Sequence, residues 1–178
     1  SMSLIDPSYG KPVPGLRIPN DLYWAITAPA PLAGMRCPQG SWPWTEIAKA
    51  GLTRVVSLHP GTYDPTPLFR LCTIELEDLA HGRPPQDQDA EIGKIREAVS
   101  MIVGTLHSKQ GVVVHCDGGR GRTGTVLGCV LREMSYAADD VIDWLDRVHK
   151  ARGKPGWPES AWQSKLVRCW PTQQGQVT

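Results

Sequence analysis

Residues 111–124 have the sequence GVVVHCDGGRGRTG, in which a β-branched segment is followed by a glycine-rich turn. The first five residues predict a buried strand, because the segment is short, rich in valine and bounded by glycine. A helix is expected to begin at about Thr123. A loop between a buried strand and a helix N-terminus can direct several backbone N–H groups at one anion. The stretch therefore predicts an α/β fold with an anion-binding loop.

The residue types in this loop indicate nucleophilic chemistry on phosphorus. Cys116 opens the loop and Arg122 closes it, with five residues between them. The loop amides, the helix dipole and the Thr123 hydroxyl all favour a thiolate, which is the nucleophilic form of cysteine. The planar guanidinium of Arg122 can hold two phosphate oxygens and follow their charge into the transition state. We expect attack by Cys116, a phosphocysteine that water hydrolyses, and no metal or other cofactor.

The rest of the loop is expected to bind the substrate phosphate. Its glycines let the backbone turn tightly and approach a ligand closely. The predicted substrate-binding residues are Asp117, Gly118, Gly119, Arg120, Gly121, Arg122 and Thr123.

Outside the loop, strand and helix patterns alternate. Strands are expected at residues 22–26, 31–35, 52–58 and 68–76, and helices after Ser41, over about 87–107, from Thr123 and around 141–148. This alternation predicts a central, mostly parallel sheet flanked by helices. Residues 1–19 contain four prolines and predict an extended arm. Residues 20–170 would then form one domain, and 171–178 a C-terminal tail.

The composition excludes several classes of function. The chain has 178 residues with 19 basic and 18 acidic side chains, and its formal net charge of +1 disfavours nucleic acid as the main partner. No apolar run approaches the roughly 20 residues of a membrane span, and the first residues do not resemble a signal peptide. The five cysteines are odd in number and lack metal-type spacing, which favours a reduced protein without a metal site. We therefore expect a cytoplasmic protein with no membrane partner.

The loop matches the signature His-Cys-x-x-Gly-x-x-Arg-(Ser/Thr), so the chain resembles the cysteine-dependent protein tyrosine phosphatase superfamily. It looks most similar to the small atypical dual-specificity phosphatases. Weaker matches flank the loop, at Trp24 with residues 32–34, at 55–58 and at 154–163. The resemblance implies that 20–170 is a phosphatase domain that acts on phosphotyrosine, and also on phosphoserine or phosphothreonine. A monomer acting on phosphorylated proteins or small phosphate esters is expected.

The resemblance also implies a general acid, an Asp just after a strand and roughly 30 residues before the cysteine. Asp78 follows a predicted strand but lies 38 residues before Cys116. His81 stands where some members have the Asp of an Asp-Gly-x-x-Pro motif. Asp87 has a better spacing of 29 residues, yet it is more simply a residue of the first helical turn. Asp78 is the preferred candidate, and His81 and Asp87 stay open.

Several further residues have two interpretations each. The resemblance implies that His115 orders the loop through hydrogen bonds, and a role as general base is the alternative. Gln163 could position the water that hydrolyses phosphocysteine or cap the local backbone. Cys72 is interpreted as a buried inert thiol, with a disulfide to Cys116 as the alternative found in some relatives. A basic cluster is expected either to face solvent or to steer anions, and it comprises Arg147, Lys150, Arg152 and Lys154.

Other functions built on the same loop also stay open. They are hydrolysis of phosphoinositides, hydrolysis of RNA 5′ phosphates, and phosphate binding without catalysis. Lipid-directed members of the family tend to carry basic residues at the first and fourth positions after the cysteine. Here the fourth is Arg120 but the first is Asp117, an anion that would repel a polyphosphorylated head group. Phosphotyrosine is therefore expected to be preferred over inositol lipids.

Overall fold

The structure is a computed structural model that describes residues 4–7 and 10–172. Within these residues, strands and helices alternate along much of the chain. The strands are β1 (Leu22–Ile26), β2 (Leu32–Met35), β3 (Leu52–Ser57), β4 (Phe69–Thr73) and β5 (Gly111–His115). The helices are α1 (Trp44–Lys49), α2 (Gln88–His107), α3 (Gly121–Glu133), α4 (Ala138–Ala151) and α5 (Ala161–Cys169).

The five strands form one mixed sheet in the order β1-β2-β5-β3-β4. All neighbouring pairs are parallel except β1 and β2. His115, the last residue of β5, lies opposite Met35 of β2 and Ser57 of β3. The prediction of a central, mostly parallel sheet flanked by helices is confirmed. The loop that follows β5 therefore starts at the middle of the sheet, where ligands bind in open α/β folds.

The central strand β5 is buried on both faces, and this explains its run of valines. Val112 and Val114 pack into the larger core cluster, which includes residues of α2, α3 and α4. Val113 points the other way and packs into a smaller cluster with α1. Side chains alternate between the two faces of a strand, so three consecutive valines serve both clusters.

The predicted elements differ from the structure mainly near the C-terminus. Helix α3 begins at Gly121, two residues before the expected start at Thr123, so the end of the loop already belongs to the helix. Helix α5 was not predicted. Its signal was a capping box, in which the Ser160 side chain caps the first turn and Gln163 returns the contact.

The N-terminal arm packs against the domain. The Ile5 amide donates to the Ala25 carbonyl of β1 (3.1 Å), and the Trp144 indole donates to the Ile5 carbonyl (3.0 Å). Val13 is buried in the smaller cluster. The predicted tail falls largely on 173–178, outside the described residues, and the domain boundaries stay a prediction. Across the part of the chain that is described, no helix has both the length and the apolar character needed to cross a membrane.

Leu127 of α3 and Phe69 of β4 provide a matched test of this core, since Leu127 is 0% exposed and Phe69 is 69% exposed. Leu127→Ala should lower the free energy of unfolding by about 2–5 kcal/mol, because it leaves a cavity among packed side chains. Phe69→Ala should change it by less than about 1 kcal/mol, because most of the ring already faces solvent. Urea unfolding measures both. Equal losses in the two variants would contradict the position of α3 in the core.

Candidate active site

Cys116 lies directly after β5 and is only 2% exposed. It lines a cavity of about 230 Å³ together with Asp78, Ala80, Asp117, Gly118, Arg120, Gly121, Arg122, Lys154 and Glu159. The structure thus brings the predicted nucleophile, Arg122 and Asp78 to one cavity. Two predicted substrate-binding residues, Gly119 and Thr123, do not line it. Thr123 is fully buried in the first turn of α3, and its hydroxyl has no hydrogen-bond partner among the described residues, so the expected support of the Cys116 thiolate by this hydroxyl is not seen.

The carbonyl groups of the loop point away from the cavity and have partners in the protein interior. The Asp117 carbonyl accepts from the Cys37 amide (2.8 Å), which follows β2. The Gly119 carbonyl accepts from the Tyr23 hydroxyl (2.6 Å) of β1. In a trans peptide the N–H and C=O groups point in opposite directions. The N–H groups of the following residues therefore face the other side of the loop, where an anion would bind.

Gly119 meets a steric requirement that other residues cannot meet. Its φ is +72°, in the left-handed region. A Cβ atom there would overlap the carbonyl oxygen of Met35, because the loop passes close to the end of β2. Glycine is therefore needed both for the turn and for this close approach.

Arg122 and Asp78 form a loose ion pair inside the cavity, with 3.8 Å between Nη2 and Oδ2. The Arg122 side chain is 12% exposed, whereas that of Asp78 is 62% exposed. The other carboxylate oxygen of Asp78 accepts from the Ala80 amide (2.9 Å), which holds the side chain within its own loop. A carboxyl group that is exposed, anchored at one oxygen and next to Arg122 can reach a leaving group on a bound phosphate.

The two rival acids lie elsewhere. His81 is exposed and does not line the cavity of Cys116, and its Nδ1 accepts from the Arg83 amide (2.9 Å). Asp87 is the N-cap of α2, where it accepts from the Ala90 amide (3.0 Å). It lines a separate cavity of about 370 Å³, to which neither Asp78 nor Cys116 contributes. Of the three candidates, Asp78 is the one that shares a cavity with the cysteine.

The charge of Arg120 is already compensated within the protein. Its Nε donates to the Gly156 carbonyl (2.5 Å), and its Nη1 lies 3.9 Å from a carboxylate oxygen of Glu159. Glu159 packs so closely against the loop that a Cβ on Gly121 would lie 2.5 Å from this same oxygen. Lys154 is the other cation at this side of the cavity. The sequence does not indicate a role for Glu159, because its pairing with Arg120 joins residues far apart in the chain.

Glu91 is a second functional candidate that the sequence did not indicate. It is only 6% exposed, and its Oε2 accepts from the Glu77 amide (2.8 Å), next to Asp78. Burial raises the pKa of this carboxyl group. Glu91 also lines a small internal cavity with Arg122. It therefore ties α2 to the segment that carries Asp78 and lies near the arginine of the loop.

Two roles were predicted for Gln163, and the structure shows the one in which its side chain caps the local backbone. Its Oε1 accepts from the amides of Glu159 (2.9 Å) and Ser160 (3.2 Å) at the start of α5. The side chain is buried, and its amide nitrogen lies near Gly121 of the loop. Placement of the hydrolytic water by Gln163 stays a prediction.

His115 is a hydrogen-bonding residue in this structure. Its Nδ1 lies 2.9 Å from the Cys116 carbonyl, and its Nε2 contacts the Tyr63 hydroxyl. A carbonyl can only accept, so Nδ1 carries the proton and Nε2 accepts from Tyr63. Burial lowers the pKa of His115 to about 4, which keeps the imidazole neutral at physiological pH. A neutral ring that joins Tyr63 to the cysteine backbone has the geometry to order the loop.

Cys72 and the basic cluster differ in how well their interpretations agree with the structure. Cys72 lies on β4, which β3 separates from β5, and burial raises the pKa of its thiol to about 11. Cys72 is half-buried and not buried as expected, and the raised pKa disfavours the thiolate form that reacts. Arg147 and Lys150 do face solvent, in ion pairs with Asp143 and Asp146. The interpretation of Arg152 was wrong in both forms: this side chain is 4% exposed and lies beneath the loop.

The low pKa of His115 predicts how stability depends on pH. The His115 ring takes up a proton near pH 6.5 in the unfolded chain but only near pH 4 in the folded protein. The unfolded state therefore binds more protons between these values, and the free energy of unfolding should decrease as the pH is lowered from 6.5 to 4. Buried His149, whose pKa is also lowered, adds to the slope. His115→Asn should reduce the slope by up to about 1.4 kcal/mol per pH unit. Urea unfolding from pH 4 to 7.5 measures it. An unchanged slope in the variant would argue against a neutral His115.

Comparison with known proteins identifies similar sequences and folds. The family model described as PTP-SAK, a Swiss Army Knife protein, DSP-PTPase phosphatase domain, matches residues 22–159. A kinase-associated phosphatase whose catalytic cysteine is replaced by serine has 15% identity and a TM-score of 0.58, with 85% of this chain and 94% of that chain covered.

Two further solved structures share the fold. The core catalytic domain of the PP-IP phosphatase Siw14 from S. cerevisiae has 12% identity and a TM-score of 0.54, with 79% of this chain and 80% of that chain covered. A variant of human DUSP28 has 17% identity and a TM-score of 0.54, with 77% and 88% covered. At these identities the likeness shows a common fold.

Proposed function

Since this chain belongs to the DSP-PTPase domain family of the cysteine-dependent protein tyrosine phosphatases, we propose that it hydrolyses phosphate monoesters on proteins through a phosphocysteine intermediate. The supporting observation is that Cys116, Arg122 and Asp78 line one cavity, at which the loop amides are directed. These three residues are the proposed catalytic group, and the loop residues bind the phosphate. The proposal includes a monomer that acts in the cytoplasm on phosphorylated proteins or small phosphate esters.

In the first step the phosphate dianion enters the loop. The backbone N–H groups and the guanidinium of Arg122 hold its non-bridging oxygens, and Arg122 exchanges its loose contact with Asp78 for the phosphate. The Cys116 thiolate then attacks phosphorus as the ester P–O bond breaks. Once Arg122 has moved to the phosphate, Asp78 takes up a proton from solvent and donates it to the leaving oxygen, so the alcohol or phenol departs neutral. The products are a phosphocysteine and an ionised Asp78.

In the second step a water molecule attacks the phosphorus of the phosphocysteine. The Asp78 carboxylate accepts a proton from this water, the P–S bond breaks and the thiolate is regenerated. Inorganic phosphate leaves the loop, and Asp78 is protonated again. Gln163, whose amide nitrogen lies near Gly121, is the proposed residue that orients this water.

The charges around the cavity favour a substrate with a single phosphate. Asp117 is an anion directly beside Cys116, and Arg120 is already paired with Glu159. Lys154 is therefore left as the remaining cation at the rim beyond Arg122, among the residues that line this cavity. A second phosphate on the substrate would meet carboxylates where polyphosphate-binding sites need cations. This charge pattern supports phosphotyrosine over phosphoinositides and inositol pyrophosphates.

Two substitutions in the loop test the covalent mechanism. Cys116→Ser should fold yet keep less than about a tenth of the activity on p-nitrophenyl phosphate, because a hydroxyl is almost un-ionised where a thiolate is needed. Arg122→Lys should lose about a hundredfold, because an ammonium group cannot replace the planar fork. Exposed Cys169→Ser and Arg147→Lys are the matched controls and should keep full activity. Substantial turnover by Cys116→Ser would exclude phosphocysteine.

Leaving-group dependence tests Asp78 as the acid. Asp78→Asn should slow hydrolysis of phenyl phosphate about a hundredfold and p-nitrophenyl phosphate far less, because the second leaving group needs no proton. It should also remove the alkaline limb of the pH profile. His81→Ala and Asp87→Asn, measured in the same way, should keep both rates. If only His81→Ala loses activity selectively on phenyl phosphate, His81 is the general acid instead of Asp78.

A substrate panel tests the proposed preference. The protein should hydrolyse phosphotyrosine peptides faster than phosphothreonine peptides, phosphoinositides, inositol pyrophosphates or 5′-triphosphate RNA. Asp117→Asn should raise the rate on the polyphosphorylated substrates by several-fold, because it removes a repelling charge, and should leave the ranking of peptides unchanged. Measurement of kcat/KM for each substrate decides the question. Faster turnover of a phosphoinositide than of every phosphotyrosine peptide would overturn the preference.

A further inference from the structure

Arg152 is a buried guanidinium at the C-terminal end of α4, and it lies directly beneath the phosphate loop. Its side chain donates to three backbone carbonyls. The contacts are Nη2 to Gly118 (3.0 Å), Nη1 to Gly119 (3.1 Å), and Nε and Nη2 to Asn20 (3.2 and 3.0 Å). Its guanidinium carbon also lies 4.7 Å from the centre of the Tyr23 ring. All three guanidinium nitrogens therefore donate hydrogen bonds, while the group also packs against the Tyr23 ring.

The charge of Arg152 has no carboxylate partner within ion-pair distance among the described residues. A buried charge of this kind is costly unless other groups compensate it. Burial lowers the pKa of the guanidinium, and coulombic interactions with Tyr23, Cys116 and Asp21 act in the opposite direction. The carbonyl dipoles supply part of the compensation.

The same contacts determine where the loop amides point. The Gly118 carbonyl and the Gly119 amide belong to one peptide unit, as do the Gly119 carbonyl and the Arg120 amide. Because each trans peptide directs these groups oppositely, carbonyls held by Arg152 turn the two N–H groups away from it. Those N–H groups are two of the donors that an anion in the loop requires.

We propose that Arg152 is a positioning residue of the active site, which orients the Gly119 and Arg120 amides toward the phosphate and whose buried charge is balanced by the Cys116 thiolate and the bound dianion. This inference rests on the proposed function only in taking the loop as a phosphate site. It assigns Arg152 no contact with the substrate. Its effect on the anion passes through two peptide groups and through the electric field across the loop.

Binding of inorganic phosphate to the Cys116→Ser protein tests the positioning role without any turnover. Arg152→Gln in this background should raise the Kd for phosphate at least about tenfold, because both the charge and the fork are lost. Arg152→Lys keeps the charge but cannot hold several carbonyls, so its Kd should lie between that of the parent and that of the Arg152→Gln variant. Arg147→Gln, an exposed arginine of the same helix, is the matched control and should stay within about twofold.

Alkylation of Cys116 in the otherwise unchanged chain provides a readout that a purely structural role would not move. The rate with iodoacetamide, followed on the Cys116 peptide by mass spectrometry, rises with pH as the thiolate forms. Arg152→Gln should shift the pH of half-maximal rate upward by about one unit, since a balancing positive charge is gone. Arg147→Gln should leave this pH unchanged.

Tyr23→Phe keeps the test decisive if Arg152→Gln fails to fold. It removes the hydroxyl that donates to the Gly119 carbonyl and keeps the ring against Arg152, so phosphate binding should weaken about threefold or more. A variant of Arg152 or Tyr23 that melts as a folded protein and binds phosphate as tightly as its parent would overturn the inference. Absence of turnover on every phosphoester, with phosphate binding still dependent on Arg152, would overturn the proposed function alone.

Discussion

A loop that directs its amide N–H groups at an anion must turn the carbonyl groups of the same peptides toward the protein, where each needs a donor. Six consecutive carbonyls, from residue 116 to residue 121, meet this requirement here. Their partners are the His115 ring, the Cys37 amide, Arg152, Tyr23 with Arg152, the Gly124 amide and the Thr125 hydroxyl, in that order. The conformation of the phosphate site depends on this complete set of donors.

The donors come from distant parts of the chain, and the sheet brings them together. β2 lies beside β5, so the residues that follow the two strands can pair at Cys37 and Asp117. β1 adds Tyr23 through its antiparallel pairing with β2, and α4 ends where Arg152 can reach the loop from below. The antiparallel edge of the sheet and the end of α4 therefore serve the site. Under the proposed function their position is a condition for phosphate binding, although neither contributes a side chain to the cavity.

Backbone groups and side chains contribute differently to the charge of the cavity. Amide dipoles and Arg122 can hold one dianion at the loop. Three carboxylates, Asp78, Asp117 and Glu159, line the same cavity as the three cations Arg120, Arg122 and Lys154. A balanced rim of this kind adds little net attraction for further negative charge. In the proposed function, selectivity for a singly phosphorylated group comes from the residues that surround the loop, because the loop amides would hold any phosphate.

The sequence alone determined the strand–loop–helix unit, the candidate nucleophile and the class of fold. These features depend on contiguous residues, namely the three consecutive valines of β5, the glycines of the turn and the spacing of Cys116 and Arg122. The tertiary structure decided four other features. They are the burial of Arg152, the pairing of Arg120 with Glu159, the contact of Glu91 with the Glu77 amide, and the placement of Asp78 and Asp87 in different cavities. Each of these features depends on how whole helices and strands pack, because the side chains involved come from distant parts of the chain. Local propensity and periodicity describe which face of an element is buried, but they carry no information on which distant element covers it.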